Sequence, residues 1–249
     1  MHAVILLAGY GSRLSRDDLA HKSLLPFGGE TLLSRHLAAL HALGIEKAEL
    51  VLGHNAGKVM DYVESLSVKP QVHYIDNTLY RTTGNTLSMV LGLERCPGDV
   101  LVLDGDVLYP HSLFLDYVRR SQPTSFALVP VDIGNTEATK VLINSSGTIH
   151  AFVTKRLLTE EEKTGFRFGG EAIGFFKLSA GDVQGFLKLY KEREAEYAKL
   201  LWEIPLTEFA TRADIFPWTM EGDGCFEIDT PEDYVRARET YEKNPGRYA

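Results

Sequence analysis

Six apolar residues, Ala3-Val4-Ile5-Leu6-Leu7-Ala8, run without interruption into a glycine-rich turn, Gly9-Tyr10-Gly11-Ser12-Arg13-Leu14. A short apolar run bounded by glycine is how a fully buried strand reads. Behind the turn come a polar segment containing Lys22 and the turn pair Gly28-Gly29. Backbone N–H groups unobstructed by a Cβ can wrap oxyanions, and two fixed cations can neutralise them. The stretch Leu7-Ala8-Gly9-Tyr10-Gly11-Ser12-Arg13, together with Lys22, therefore reads as a polyphosphate cradle. It is neither of two better-known glycine loops. No Walker-type run ending in Gly-Lys-Ser/Thr exists, and Leu14 stands where a dinucleotide fingerprint needs its third glycine. An ordinary strand-to-loop turn is the competing reading, and Arg13 with Lys22 weighs against it.

The 249-residue length fits one domain spanning 1–249, with a nucleotide-binding half over 1–125 and a substrate-side half over 126–249. An apolar fraction of 44% is ordinary for a globular core. No apolar run approaches the roughly 18 residues of a membrane span, and no charged region precedes the first apolar stretch. A cytoplasmic protein with no membrane partner is expected. The formal net charge of −8 argues against a nucleic-acid partner, because phosphate backbones recruit basic faces. A nucleotide substrate needs only a few local cations and a divalent metal. Cys96 and Cys225 lack metal spacing and read as reduced structural thiols. The histidines are scattered, and His36 and His41, five apart on one expected helix, are off the same face.

Helix and strand signals alternate through the first half. Helices are expected over Thr31 to Leu43, with Gly44 as C-cap, over Gly57 to Leu66 and over Asn85 to Leu93. Strands are expected over Ala48 to Leu52, over Val72 to Ile75 as a second-layer strand, and over Asp99 to Leu103. This spacing implies right-handed βαβ units: an α/β fold with a Rossmann-like, mostly parallel sheet covered by helices on both faces. From Phe126 the pattern changes to a small mixed α+β lobe. Strand-like stretches cover Phe126 to Val131, Thr139 to Ile143, Thr148 to Thr154 and Glu171 to Leu178, with Ser145-Ser146-Gly147 as a hairpin turn. A long amphipathic helix over Ala180 to Leu201 precedes a shorter one over Ile204 to Ala210, and short strands follow at Phe216 to Met220 and Cys225 to Ile228. A closing helix over Pro231 to Tyr241 has Thr230 at its N-cap, Pro231 at its first position and Glu232-Asp233 in its first turn.

Asp104-Gly105-Asp106 falls at the C-terminal end of a buried strand, where ligands bind in open α/β sheets. Two carboxylates one residue apart are hard oxygen ligands suited to Mg²⁺ on phosphate, although Asp and Gly also simply form turns. Glu227-Ile228-Asp229 is a similar pair before a helix N-terminus, where Asp229 either caps that helix or completes a divalent site with Asp106. Lys140 and Lys155 both fall on expected strands of the second half; a solvated charge is the default for each, and a phosphate-bearing second substrate would need one of them. Trp202, at the end of the long helix beside Glu203, is either a core aromatic or half of an ammonium site.

In combination these pieces resemble the nucleotidyltransferase superfamily that joins a nucleoside triphosphate to a phosphorylated small molecule. Leu7 to Leu14 followed by Lys22-Ser23-Leu24-Leu25-Pro26 is similar to that family's first motif and its following lysine. Asp104-Gly105-Asp106 and Glu227-Ile228-Asp229-Thr230-Pro231-Glu232-Asp233 are similar to its two metal positions. Thr83-Gly84-Asn85-Thr86-Leu87-Ser88, Glu137-x-x-Lys140, Thr154-Lys155-Arg156-Leu157 and Gly170-Glu171-Ala172-Ile173-Gly174 resemble the bacterial choline-phosphate and phosphonate cytidylyltransferases rather than the sugar enzymes. Two departures stand out: His21 replaces the usual proline before the lysine, and Leu201 replaces an aromatic often seen beside Trp202.

The resemblance implies a GT-A-like fold and an Mg²⁺-dependent transfer from CTP to a small phosphate or phosphonate, 2-aminoethylphosphonate or phosphocholine in type. Arg13 and Lys22 would take the phosphates, Asn85 and Ser88 the base with Asp104 nearby, Asp106 and Asp229 the metal, and Lys155 the attacking group. Lys140, Glu171, Trp202, Glu203 and Glu227 are the acceptor candidates. A sugar-1-phosphate nucleotidyltransferase, a glycosyltransferase and a non-catalytic nucleotide sensor are the alternatives. The oligomeric state stays open, a homodimer included.

Overall fold

The computed structural model describes residues 1–14, 19–221 and 224–249. The chain begins with β1 (His2–Leu7), single 3₁₀ turns at Ser12–Leu14 and Lys22–Leu24, the hairpin β2 (Pro26–Phe27) and β3 (Glu30–Thr31), then α1 (Leu32–Ala42) and β4 (Lys47–Leu52). It continues through α2 (Ala56–Ser65), β5 (Gln71–Asp76), α3 (Asn85–Leu93), β6 (Val100–Asp104), β7 (Val107–Leu108), α4 (His111–Arg120) and β8 (Ser125–Val129). The second half holds β9 (Lys140–Ile143), β10 (Ile149–Val153), α5 (Glu160–Gly165), β11 (Arg167–Leu178), α6 (Ala180–Glu192), α7 (Glu194–Tyr197) and α8 (Glu203–Phe209). It closes with β12 (Phe216–Thr219), β13 (Phe226–Glu227) and α9 (Pro231–Lys243).

β1 lies inside a nine-stranded sheet, parallel to β6 on one side and β4 on the other, with β5 parallel to β4 at the edge. Because successive strand residues point to opposite faces, β1 divides its side chains between two cores. Val4 and Leu6 join Met89, Val90 and Leu93 of α3 and Val183, Phe186 and Leu187 of α6. Ala3, Ile5 and Leu7 join Leu33, Leu37 and Leu40 of α1, Val59 and Val63 of α2, and Phe114 and Tyr117 of α4. This is the α/β, mostly parallel sheet with helices on both faces that the sequence implies. Burial on that scale contributes roughly 1.5–3 kcal/mol per large aliphatic side chain. The mixed region is organised by β11, which runs antiparallel to β6, β8 and β9.

Four readings of the sequence are corrected. Val72 to Ile75 belongs to β5 in the main sheet rather than to a second layer. Lys155 lies beyond β10, in a loop at φ 51°, not on a strand. The short β2–β3 hairpin, β7, α4 and α5 have no counterpart in the pattern reading. The expected helix over Ala180 to Leu201 ends at Glu192, Arg193 leaves helical geometry at φ −140°, and only Glu194–Tyr197 resumes it.

The segment after the break makes a tertiary contact. α3 starts at Gly84, which has no side chain to cap it, and the first N–H groups of a helix need partners. The segment after the break supplies them: Gly84 N–H donates to the Ala198 carbonyl (2.9 Å) and Thr86 N–H to the Leu200 carbonyl (3.4 Å). Asn85 Oδ1 in turn accepts from Trp202 N–H (2.9 Å).

Two expectations follow. α3 crosses β1 so closely that a Cβ on Gly92 would lie 2.3 Å from Val4 Cγ1. Gly92→Ala should therefore destabilise by about 1–3 kcal/mol despite alanine's higher helix propensity, read as a lower urea midpoint. Burial pushes the His36 imidazole down to about 3 and His21 down to about 4, from an ordinary 6.5. Between those values the unfolded chain binds protons that the folded chain refuses, so stability is intact above about pH 6.5 and is lost progressively on acidification. His36→Gln should flatten that loss in thermal melts taken from pH 7 to pH 4.

Candidate active site

The parallel register decides where the site forms. Leu6 of β1 lies opposite Asp104 of β6, so the glycine turn and the Asp104-Gly105-Asp106 turn leave the sheet side by side. Gly105 N–H donates to the Leu6 carbonyl (3.2 Å). Asp229 arrives by a separate device: β13 pairs with β7, setting Glu227 opposite Val107, and Ile228 N–H donates to the Asp106 carbonyl (3.1 Å). Capping of α9 is done by Thr230 and Asp233, whose side chains exchange bonds with each other's backbone N–H (3.2 and 3.0 Å). Asp229 is thus freed from capping and turns its carboxylate the other way.

That carboxylate meets the first motif. Lys22 Nζ donates to Asp106 Oδ2 (2.7 Å) and to Asp229 Oδ1 (2.6 Å), and Arg13 Nη2 donates to Asp229 Oδ2 (2.7 Å). Burial alone would pull the Lys22 ammonium down, but the two carboxylates override it and hold it above its ordinary value. Burial likewise opposes ionisation of Asp229, and Lys22 and Arg13 hold it below the usual carboxylate range. Lys22 is fixed at its backbone by His21, whose Nδ1 accepts from Ser23 N–H (3.2 Å) at the start of the 3₁₀ turn. The histidine in place of proline serves here as a cap.

These groups face a cavity of about 780 Å³ and an adjoining hollow of about 280 Å³ beside the glycine turn, with Gly9, Arg13, Asp106 and Asp229 on both. Of the cradle residues, Ala8 lines the larger space, while Tyr10, Gly11 and Lys22 line the smaller. The Leu7 side chain, 1% exposed, packs in the core, which leaves its backbone as the part that the cradle reading concerns. The Ser12 side chain falls outside the described residues.

Asn85, Ser88 and Asp104 line the cavity. Ser88 is held by Asn77, whose Nδ2 donates to Ser88 Oγ (2.9 Å). Sequence reasoning passed over Asn77, and its position just after β5 was the available signal. Lys155, Glu171, Trp202, Glu203 and Glu227 line the cavity as well, joined by Thr139 and by Arg236 of α9, which no local motif marks. Lys140 is corrected: its side chain is fully buried, and its ammonium donates to the Arg156 (3.0 Å) and Ala138 (3.5 Å) carbonyls instead of facing the cavity.

The wall is strongly acidic. Burial, then Asp106 and Glu203, push the Asp104 carboxyl well above the ordinary range. Burial, then Asp106, Asp104 and Asp229, do the same to Glu227. Burial also raises Glu171 and Glu203. Glu203 Oε1 accepts from Thr139 Oγ1 at 3.4 Å, and among the described residues its buried Oε2 has no partner. Trp202 packs against Phe126, Phe176 and Phe152 (ring centroids 5.2, 5.5 and 6.0 Å), with the exposed Leu201 beside it.

Among the described residues, no group of three or more His, Cys, Asp or Glu side chains is arranged to hold a metal ion. The Asp106/Asp229 pair nevertheless fits one. Both carboxylates address a single cationic atom, and among the described residues the buried Asp106 Oδ1 has no partner. Two hard oxygen donors suit a divalent ion that draws its remaining ligands from phosphate and water. Among the described residues no helix is long and apolar enough to cross a membrane.

Comparison with known proteins agrees with this geometry. The chain is 31% identical over 166 residues to the bifunctional protein GlmU of Gloeobacter violaceus, covering 65% of this chain and 35% of that one. It is 28% identical over 157 residues to the CMP-5'-(3-aminopropyl)phosphonate synthase of Streptomyces rubellomurinus, covering 63% and 25%. The chain thus spans about a third and a quarter of those two proteins' lengths. The choline-phosphate cytidylyltransferase of Haemophilus influenzae is 27% identical over 239 residues, covering 94% of each chain. Two solved structures share the fold. The CTP:phosphocholine cytidylyltransferase of Streptococcus pneumoniae has a TM-score of 0.74 at 19% identity over 96% of this chain and 98% of that one. A UDP-glucose pyrophosphorylase has 0.76 at 17% over 97% and 98%. The model of the MobA-like NTP transferase domain matches residues 3–163, which hold the glycine turn, Lys22 and Asp106. The chain belongs to that family.

Proposed function

We propose that this protein is a cytidylyltransferase that joins CTP to a small phosphate or phosphonate bearing an amine, releasing pyrophosphate. The observation that carries the reading is the convergence of Lys22, Asp106 and Asp229 beside the glycine turn, next to a cavity lined by further acidic groups. The choline-phosphate and aminopropylphosphonate enzymes among the relatives support an amine-bearing acceptor. The acidic wall formed by Glu171 and Glu203 beside Trp202 supports it independently, because carboxylates and the face of an aromatic ring attract an ammonium group. The GlmU and UDP-glucose pyrophosphorylase similarities favour a sugar-1-phosphate acceptor as the second reading.

In the proposed reaction, the glycine turn, Arg13 and Lys22 bind and neutralise the triphosphate. Asp106 and Asp229 hold Mg²⁺, which supplies charge neutralisation on the reacting phosphate. Asn85 and Ser88, positioned by Trp202 N–H and Asn77, face the base. Lys155 and Arg236 offer cations to the acceptor's anionic end, and Glu203 and Glu171 orient its amine. Positioning and charge neutralisation supply most of the barrier reduction, since phosphoryl transfer asks for little covalent chemistry from the protein. One domain holds the nucleotide in its first half and the acceptor in its second, and works where CTP is made, in the cytoplasm.

A pyrophosphate-release screen of the four nucleoside triphosphates against 2-aminoethylphosphonate, phosphocholine and hexose-1-phosphates tests the reading. Turnover should appear with CTP and an amine-bearing acceptor; turnover confined to hexose-1-phosphates would replace this reading with the second. Asp106→Ala should lower kcat by at least about 10²–10³ with circular dichroism unchanged. Glu203→Gln should raise the acceptor KM about tenfold, one charge-assisted contact of ~1.4 kcal/mol, while leaving the CTP KM within about twofold.

A further inference from the structure

The cation that sits on the Asp106/Asp229 pair is the protein's own. Those two carboxylates have four oxygens: Lys22 takes one from each, Arg13 takes a third, and among the described residues Asp106 Oδ1 has no partner. Two positive side chains offset two negative ones, so an incoming divalent ion meets a site already compensated and finds one bare oxygen. To gain the pair it must displace Lys22, whose ammonium would then be left largely buried and unpaired, since its side chain is only 12% exposed. An unpaired charge of that kind is costly.

The alternative partner for Lys22 is adjacent. The hollow beside the glycine turn is lined by Gly9, Tyr10, Gly11, Arg13 and Lys22 itself. The Lys22 stem runs against Gly11, where an added Cβ would lie 3.4 Å from Lys22 Cβ and 3.7 Å from its Cδ. Its backbone is pinned in the 3₁₀ turn capped by His21, while four methylenes leave the ammonium free to swing. A triphosphate in that hollow offers Lys22 and Arg13 new anionic oxygens and, in the same event, strips the two carboxylates of their cations.

We infer that Lys22 is the resident counter-ion of the Asp106/Asp229 pair, so that a divalent cation acquires both carboxylates only as a triphosphate draws Lys22 away. The inference rests on the reading of this pair as the metal position. Metal alone then binds weakly, and metal and nucleotide strengthen each other's binding by the same factor, as linkage requires. Lys22 serves in this account as a positioning group as well as a phosphate ligand.

The test titrates Mn²⁺, as a paramagnetic probe, into the full chain without nucleotide, followed by electron paramagnetic resonance. Lys22→Met should bind Mn²⁺ at least tenfold more tightly than the unsubstituted protein, and Lys22→Arg, which keeps a cation on the pair, should not. Arg13→Met, at a more exposed position, frees Asp229 Oδ2 alone and should give a smaller, severalfold gain; it serves should Lys22→Met fail to fold. Adding a non-hydrolysable CTP analogue should strengthen Mn²⁺ binding in the unsubstituted protein by more than in Lys22→Met, after correction for the free Mn²⁺–analogue complex. Equal nucleotide-free affinity in the unsubstituted protein and in both Met variants overturns the inference and leaves the metal reading standing. No bound Mn²⁺ in any of them, even with saturating analogue, removes the metal reading and the inference together.

Discussion

Lys22, Asp106 and Asp229 depend on one another, and the arrangement around them follows from that dependence. Two carboxylates this close repel, and each is partly withdrawn from water, with side chains 21% and 29% exposed. A shared ammonium at 2.6–2.7 Å removes the conflict. The three residues come from positions 22, 106 and 229, so the ion cluster ties together the first turn, the middle strand end and the segment before the last helix. Breaking one partner leaves the others as uncompensated charge, the costly way to disturb a buried pair.

The remainder of the acidic wall lacks that compensation. Asp104 and Glu227 face one another's charge in a buried setting, with Lys22 a weaker opposing influence on both. A fold optimised for stability alone would not keep unpaired buried carboxylates such as Glu203, whose Oε2 has no partner. Polar groups of this kind gather where a ligand supplies what the protein withholds. The site mixes both signs: Arg13 and Lys22 meet Asp106 and Asp229 beside the glycine turn, and Lys155 and Arg236 share the cavity lining with Glu171, Glu203 and Glu227.

What could be read from residues alone was whatever is local. Strand ends, the α9 cap at Thr230-Pro231, the α3 boundaries and the two Asp-x-Asp-like corners all announce themselves within a few neighbours. Lys140 and Lys155 were misplaced for opposite reasons. Lys140 looks like a surface charge on a strand but reaches the Arg156 carbonyl inside the protein. Lys155 continues an apolar run in sequence, yet the chain turns left-handed there and leaves the sheet. The helix expected to reach Leu201 is interrupted at Arg193, and the segment that follows partners free N–H groups of α3, more than a hundred residues upstream, a contact that no local pattern encodes.

The sequence by itself determined the buried first strand, the glycine turn, the alternation that yields a parallel sheet, and the inventory of cations and carboxylates, because each is encoded in spacing over a few residues. Only the tertiary structure decided that β7 and β13, two residues apiece, would pair and carry Asp229 to Asp106. It alone placed Asn77 behind Ser88, Arg236 in the cavity, and Trp202 against three phenylalanines. Contacts between distant segments arise from the closing of the sheet and the satisfaction of buried polar groups, and neither leaves a periodic trace in the chain.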